Sequence, residues 1–224
     1  MNEFDSEPIR GVPGKLPEGE RVLWQGEPRR GLLARRAFHL PTLTLYFGIL
    51  LALRIGTVLG AGGSLADAAI AGSWLLTAAV VALGIFYIYG VLIARTSVYT
   101  ITNRRLVFRS GLAVPLTINI PFNEIEAAAV KTYNDRGDGE IVLTLLPGRH
   151  IGYFPLWPHA RPWKIKRPEP MLRAIADAAR VAEILSEALA KSAADSKATE
   201  ESSTETSKGE SSQKWQSQAT EAAA

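Results

Sequence analysis

Apolar residues dominate the chain from Ala37 to Leu53 and again from Ser73 to Ala94. At roughly 1.5 Å rise per residue the first run covers about 25 Å, enough to cross a bilayer core as a helix. From Ser97 the period drops to two. Tyr99 and Ile101 alternate with threonines, Asn103-Arg104 reads as a turn, and Leu106 to Phe108 follow. Leu116, Ile118 and Ile120 share one face. Ile125 to Tyr133 leads into the turn-forming residues 134–139, then Ile141, Leu143 and Leu145 alternate, and Pro147-Gly148 turns the chain into Ile151 to Phe154. The pattern predicts five or six short antiparallel strands at hairpin spacing. After a proline-rich stretch, Met171, Ile175, Ala179, Ala182, Leu185 and Leu189 form a helical stripe, with Pro170 at its first turn. Beyond Lys191 the composition falls to Ser, Thr, Glu, Gln, Lys and Ala, which cannot offset chain entropy and predicts a disordered tail.

Charge placement turns the two apolar runs into a topology. Arg29, Arg30, Arg35 and Arg36 precede the first, and Arg95, Arg104, Arg105 and Arg109 follow the second. The connector from Ile55 to Gly72 carries no lysine or arginine. The bias of positive residues to the cytoplasmic side then predicts a two-helix transmembrane hairpin with both ends inside. Nothing ahead of it has the form of a signal peptide. The boundaries that follow are a cytoplasmic leader over 1–36, the hairpin over 37–94, a soluble body over 95–190 and the tail over 191–224. A net charge of +3 in 224 residues, with arginines gathered at the ends of the runs, argues against a nucleic-acid binder and for contact with anionic headgroups. There is no cysteine, hence no disulfide or thiolate chemistry.

Two segments stand out as recognition candidates. Gly48, Ala52, Gly56 and Gly60 lie four apart on one helical face, a seam along which another helix approaches closely. The second run offers Ala78 and Ala82 at the same spacing, so the seam serves either the hairpin itself or another protein's helix. Arg54 points elsewhere on that helix and snorkels to the outer interface. The other segment is Trp157-Pro-His-Ala-Arg161-Pro-Trp163-Lys164, running on to Arg173. Its prolines, with Pro155, Pro168 and Pro170, predict a stiff extended surface arm. Two large rings beside Arg161, Lys164, Lys166 and Arg167 make it either a linker folded back on the sheet or a docking strip.

Strands capped by one helix, with Tyr99-Thr-Ile-Thr-Asn-Arg-Arg-Leu106, Gly111-Leu112 and Ile120-Pro-Phe-Asn-Glu-Ile125, resemble a membrane-anchored bacterial pleckstrin-homology-like (PH-like) domain. Gly19 to Trp24 is similar to that family's leader. The resemblance implies a fold of a transmembrane α-helical hairpin plus an α+β PH-like antiparallel β-sandwich or barrel capped by a C-terminal helix. Leu16-Pro-Glu-Gly-Glu20, Trp24-Gln-Gly26, Leu33 to His39 and Trp157 to Met171 resemble the photosynthetic complex assembly proteins of purple bacteria, the PuhB family. That resemblance implies an accessory factor bound to reaction-centre or core light-harvesting subunits in the cytoplasmic or intracytoplasmic membrane.

Catalytic chemistry finds no support in the residues. Of the three histidines, none stands in a metal-ligand spacing or beside a nucleophile elbow. His39 is expected to be an interfacial polar residue, with ligation of a pigment magnesium the lesser reading, and His150 and His159 to be surface groups. Gly60 to Ser64 follows an apolar run, not a strand, so it is no dinucleotide loop. Asp135 and Asp138 fit a turn better than a calcium site. No cofactor or metal is expected. Besides the assembly factor, the remaining reading is a general membrane-anchored module that binds lipid headgroups or peptides.

Overall fold

The computed structural model describes residues 11, 14, 16–111, 116–148 and 151–198. Two antiparallel sheets form the body. The first orders Val22–Gly26 (β1), Val98–Thr102 (β2), Arg105–Ser110 (β3) and Leu116–Pro121 (β4) edge to edge. The second orders Ile125–Thr132 (β5), Gly139–Leu145 (β6) and Met171–Ile175 (β7). Three helices lie between β1 and β2: Arg30–Ala37 (α1), Leu40–Gly60 (α2) and Leu65–Thr96 (α3). A single turn at Tyr153–Leu156 (α4) precedes β7, and a helix over residues 178–198 (α5) follows it.

The core sits between the sheets and under α5. Tyr99, Ile101, Leu106, Phe108 and Ile120 from the first sheet meet Ile141, Leu143, Leu172 and Ile175 from the second. Val181, Leu185 and Ala188 of α5 close that space. Neither small sheet can bury one face alone, so each supplies half of a shared interior.

Several elements depart from the sequence pattern. Met171 to Ile175 is a strand, not the start of the helix. Pro168 and Pro170 bias the preceding residues to extended backbone, and the free edge of β6 accepts the segment, with Ile141 opposite Leu172 and Val142 opposite Met171. The helix therefore begins later, with Ala178 buried and Ala179 exposed. It continues through residue 198, so 191–198 is helical, and the rest of the tail lies outside the described residues, as does His150. Tyr153 to Leu156 is a helical turn in place of the expected last strand, since Pro155 has no N–H to give a ladder.

The leader is part of the body. Residues Val22 to Gly26 pair with β2, and the Glu20 carboxylate takes both Nε (2.8 Å) and a terminal nitrogen (3.0 Å) of Arg105. The Asn103 amide nitrogen donates to Gly19 O at 2.9 Å and its backbone N–H to Arg21 O at 3.1 Å, fixing the chain before β1. An eight-residue helix, α1, then intervenes before the first long helix.

The helices α2 and α3 are long and apolar enough to cross a membrane, and α3 meets the body near its C-terminal end, through Tyr89, Ile93 and Ala94. They run as a pair joined by the turn 61–64, far shorter than the expected connector from Ile55 to Gly72. The Ser64 hydroxyl accepts from Asp67 N–H at 3.2 Å while Ser64 N–H donates to the Asp67 carboxylate at 2.9 Å, a reciprocal cap that starts α3.

Candidate functional site

The small residues of α2 do not hold the pair together. A Cβ added at Gly48, Gly56 or Gly60 would meet nothing within 4 Å, and Ala52 is exposed. Contact with α3 comes from a neighbouring strip of α2, where Leu51 and Ile55 lie against Gly72. On α3 the buried small residues are Ala68, Gly72, Ala79, Gly90 and Ala94, the last two near its C-terminal end, whereas Ala78 is exposed. Hairpin packing therefore leaves the Gly48–Ala52–Gly56–Gly60 face open, and Arg54 is exposed as well.

The proline-rich arm divides in two. Leu156, Pro158, His159 and Ala160 are buried, and Ala160 bridges Pro170. Trp157, 39% exposed, sets its ring edge-on to Phe38 with centroids 5.4 Å apart and stacks on Tyr89 at 6.5 Å. Phe38 in turn packs on Phe86 and Tyr89. The first tryptophan thus fastens the body to the roots of the helices. Trp163 does none of this: it is 92% exposed, on a left-handed backbone with φ 66°. Arg161 and Lys164 each reach a carboxylate oxygen of Glu169 at 2.7 Å. Partial burial raises the Glu169 pKa, but hydrogen bonds from Lys164 and Arg161 outweigh it and hold the carboxyl below its ordinary range.

His159 is an interior residue, contrary to its expected place on the surface. Tyr99 Oη lies 2.7 Å from its Nδ1, and the Ser97 and Ser110 hydroxyls lie 3.0 and 3.1 Å from its Nε2. Ser97 donates to Ile93 O at 2.8 Å, so its oxygen accepts from His159. This arrangement suits the tautomer with the proton on Nε2, Tyr99 donating to Nδ1. Burial, reinforced by the Arg173 charge, pushes the His159 pKa down to about 3. Burial likewise pushes the Tyr99 hydroxyl well above its ordinary value. Both groups stay neutral at physiological pH. Their network joins the end of α3, strands β2 and β3, the arm and β7.

Beside this network lies a cleft of about 560 Å³ between the α1–α2 junction and the second sheet. Arg35 and Arg36 come from the last turn of α1, Lys131 from β5, Arg173 from β7 and Arg161 from the arm. His39, at φ 50°, makes the corner between the two helices. One carboxylate, Glu140, faces these cations, and it accepts a short hydrogen bond from the Tyr133 hydroxyl. The Arg36 guanidinium stacks 4.2 Å from the Tyr133 ring centroid. Arg173 is buried, donates to Pro158 O at 3.0 Å, and has an Nε without a hydrogen-bond partner.

Sequence reasoning found Arg35 and Arg36 as charges flanking the first apolar run and Arg161 as part of the docking strip, and did not join them. It missed Lys131 as a cleft residue and read Arg173 as the end of the proline-rich segment. The available signal was Lys131 and Glu140 on either side of the 134–138 turn, where the register sets them opposite each other.

Two facing antiparallel sheets closed by a C-terminal helix make the body PH-like. The chain belongs to the bacterial PH domain family, which it matches over residues 50–189. It is 40% identical over 190 residues to a Rhodobacter capsulatus protein described as an uncharacterized 23.7 kDa protein in the puhA 5′ region, a match taking in 84% of this chain and 87% of that one. A solved structure similar in part is a DUF1696-family protein with a pleckstrin-homology domain from Shewanella loihica PV-4, at 18% identity and a TM-score of 0.28, over 41% of this chain and 68% of that one.

Proposed function

We propose that α2 and α3 cross the cytoplasmic or intracytoplasmic photosynthetic membrane with both ends of the chain on the cytoplasmic side. There the protein helps assemble the reaction centre with its core light-harvesting complex, by binding their subunits and without catalysing a reaction. The observation that carries this reading is the open small-residue face of α2. Hairpin packing uses the neighbouring strip of Leu51 and Ile55, which leaves Gly48, Ala52, Gly56 and Gly60 free for a helix of another subunit. The unburied flanks of both apolar helices support the membrane placement, since water would leave Leu45, Ile49, Leu53, Ile70, Trp74 and Val80 exposed. Resemblance to the PuhB family, and a relative whose gene lies in the puhA region, support the photosynthetic setting.

The test is Gly56→Leu in a phototrophically induced host. A Cβ at position 56 meets no neighbour inside the protein, so the variant's level in the membrane should match wild type while the assembled reaction-centre and antenna complex falls. An unchanged complex level with normal insertion contradicts the proposal.

A further inference from the structure

The geometry points to the basic cleft at the α1–α2 junction as a site for the phosphate of an anionic phospholipid headgroup. This inference rests on α2 and α3 being membrane spans, and goes beyond the assembly role. Arg173 is 6% exposed, its Nε has no hydrogen-bond partner, and no carboxylate among the described residues pairs with it. A guanidinium taken out of water in this way calls for a counter-charge, and a phosphate oxygen matches the fork of its N–H groups. Arg35 and Lys131 line the same space with no ion pair among the described residues. The one acid there, Glu140, is engaged by Tyr133. Anion, not cation, is therefore the chemistry of the cleft.

The surroundings favour a lipid over a soluble phosphate. Pro41 and Thr42, in the first turn of α2, form part of the wall, so the cleft opens where the polar chain becomes the apolar helix. Pro162 forms another part, and just beyond it Trp163 and Ile165 stand 92% and 67% exposed. A headgroup bound to the arginines would leave its acyl chains beside α2, with an aromatic and an aliphatic side chain at the level of the interface.

The experiment uses the full chain reconstituted in bilayers of phosphatidylcholine alone or mixed equally with phosphatidylglycerol. Lipid retained after mild detergent extraction is counted by native mass spectrometry. Wild type should carry phosphatidylglycerol in preference to phosphatidylcholine. Arg35→Gln with Arg36→Gln, at exposed positions that leave the core intact, should lower that retention roughly tenfold, the loss expected for one or two charge-assisted contacts. Arg30→Gln, outside the cleft, should retain it. Arg173→Lys should weaken retention in a folded protein, because an ammonium keeps the charge but loses the fork. Equal retention in the Arg35/Arg36 variant, or no preference in wild type, overturns the inference. Inorganic phosphate binding to protein in pure phosphatidylcholine, with the same arginine dependence, would overturn the lipid assignment in favour of a free anion. Failure of the wild type to float with phosphatidylcholine vesicles after alkaline washing would instead sink the membrane reading, and this inference with it.

Discussion

Single side chains carry contributions that the linear pattern does not rank. The two tryptophans of the arm look equivalent in sequence, yet one is a fastening and the other is free. Trp157→Ala removes a ring packed on Phe38 and Tyr89 and should cost roughly 2 kcal/mol in denaturant unfolding. Trp163→Ala should stay within about 0.5 kcal/mol of wild type. Equal losses would show that the arm does not divide as described. His159 sets a pH dependence whose sign follows from its neutrality in the fold. The folded ring resists protonation down to about 3, while the unfolded ring takes up a proton through 6.5, so stability is lost as pH falls between those values. Wild type should lose up to roughly 2 kcal/mol from this group between about pH 7 and about pH 5. His159→Gln, which retains a donor and an acceptor without a titrating ring, should lose that part of the slope. Identical slopes in the two proteins would show that His159 does not couple folding to protons.

Between elements, close approach decides what the chain tolerates. At Gly90 a Cβ would come within 2.6 Å of Ala34 Cα and 2.7 Å of its Cβ, because α1 lies directly on α3 there. Gly90→Ala should therefore cost about 1–3 kcal/mol and loosen α1 toward protease, whereas Gly56→Ala should be neutral or slightly stabilising. Protease resistance that is equal in both variants would contradict the packing of α1 on α3. This contact also shows where the sequence was legible. Alternation located β6, whose burial alternates along its length, and turn residues bracketed the others, since β2 is buried throughout and β5 is almost wholly exposed. Length and apolar content located α2 and α3. Periodicity could not separate β7 from α5, because Met171-Leu-Arg-Ala-Ile175 is a short run with both faces buried, equally compatible with a helix turn. Helix α1 stayed hidden because its stripe is only Leu33, Ala34 and Ala37 among arginines. The seam was legible as a motif, but its direction depends on which face Gly72 of α3 meets. The cleft was illegible because its cations come from α1, β5, the arm and β7, which only the fold brings together.

At the scale of the whole molecule, the body is continuous with the roots of the helices. Arg29 N–H donates to Ala174 O at 2.7 Å, and its side chain meets Asp138 at 2.6 Å as an ion pair without hydrogen-bond alignment. Leu33, Ala37, Ile93, Ala94 and Ala174 form a small second core, and the Trp157 cluster and the His159 network reinforce the same junction. A partner helix held on the outer face of α2 would thus stand at a fixed distance from the cytoplasmic body. That arrangement suits a factor that presents one subunit to another, and it predicts which positions touch the partner. The most direct measurement places a photo-crosslinking amino acid at position 56 or, in a second protein, at position 75, in membranes induced for photosynthesis. Position 56 lies on the open face of α2, and Leu75 lies half-buried on α3. The account predicts an adduct from position 56 to a reaction-centre or light-harvesting subunit, with position 75 giving little beyond crosslinks within the chain. No adduct to such a subunit from position 56, in protein that is inserted and abundant, would contradict it.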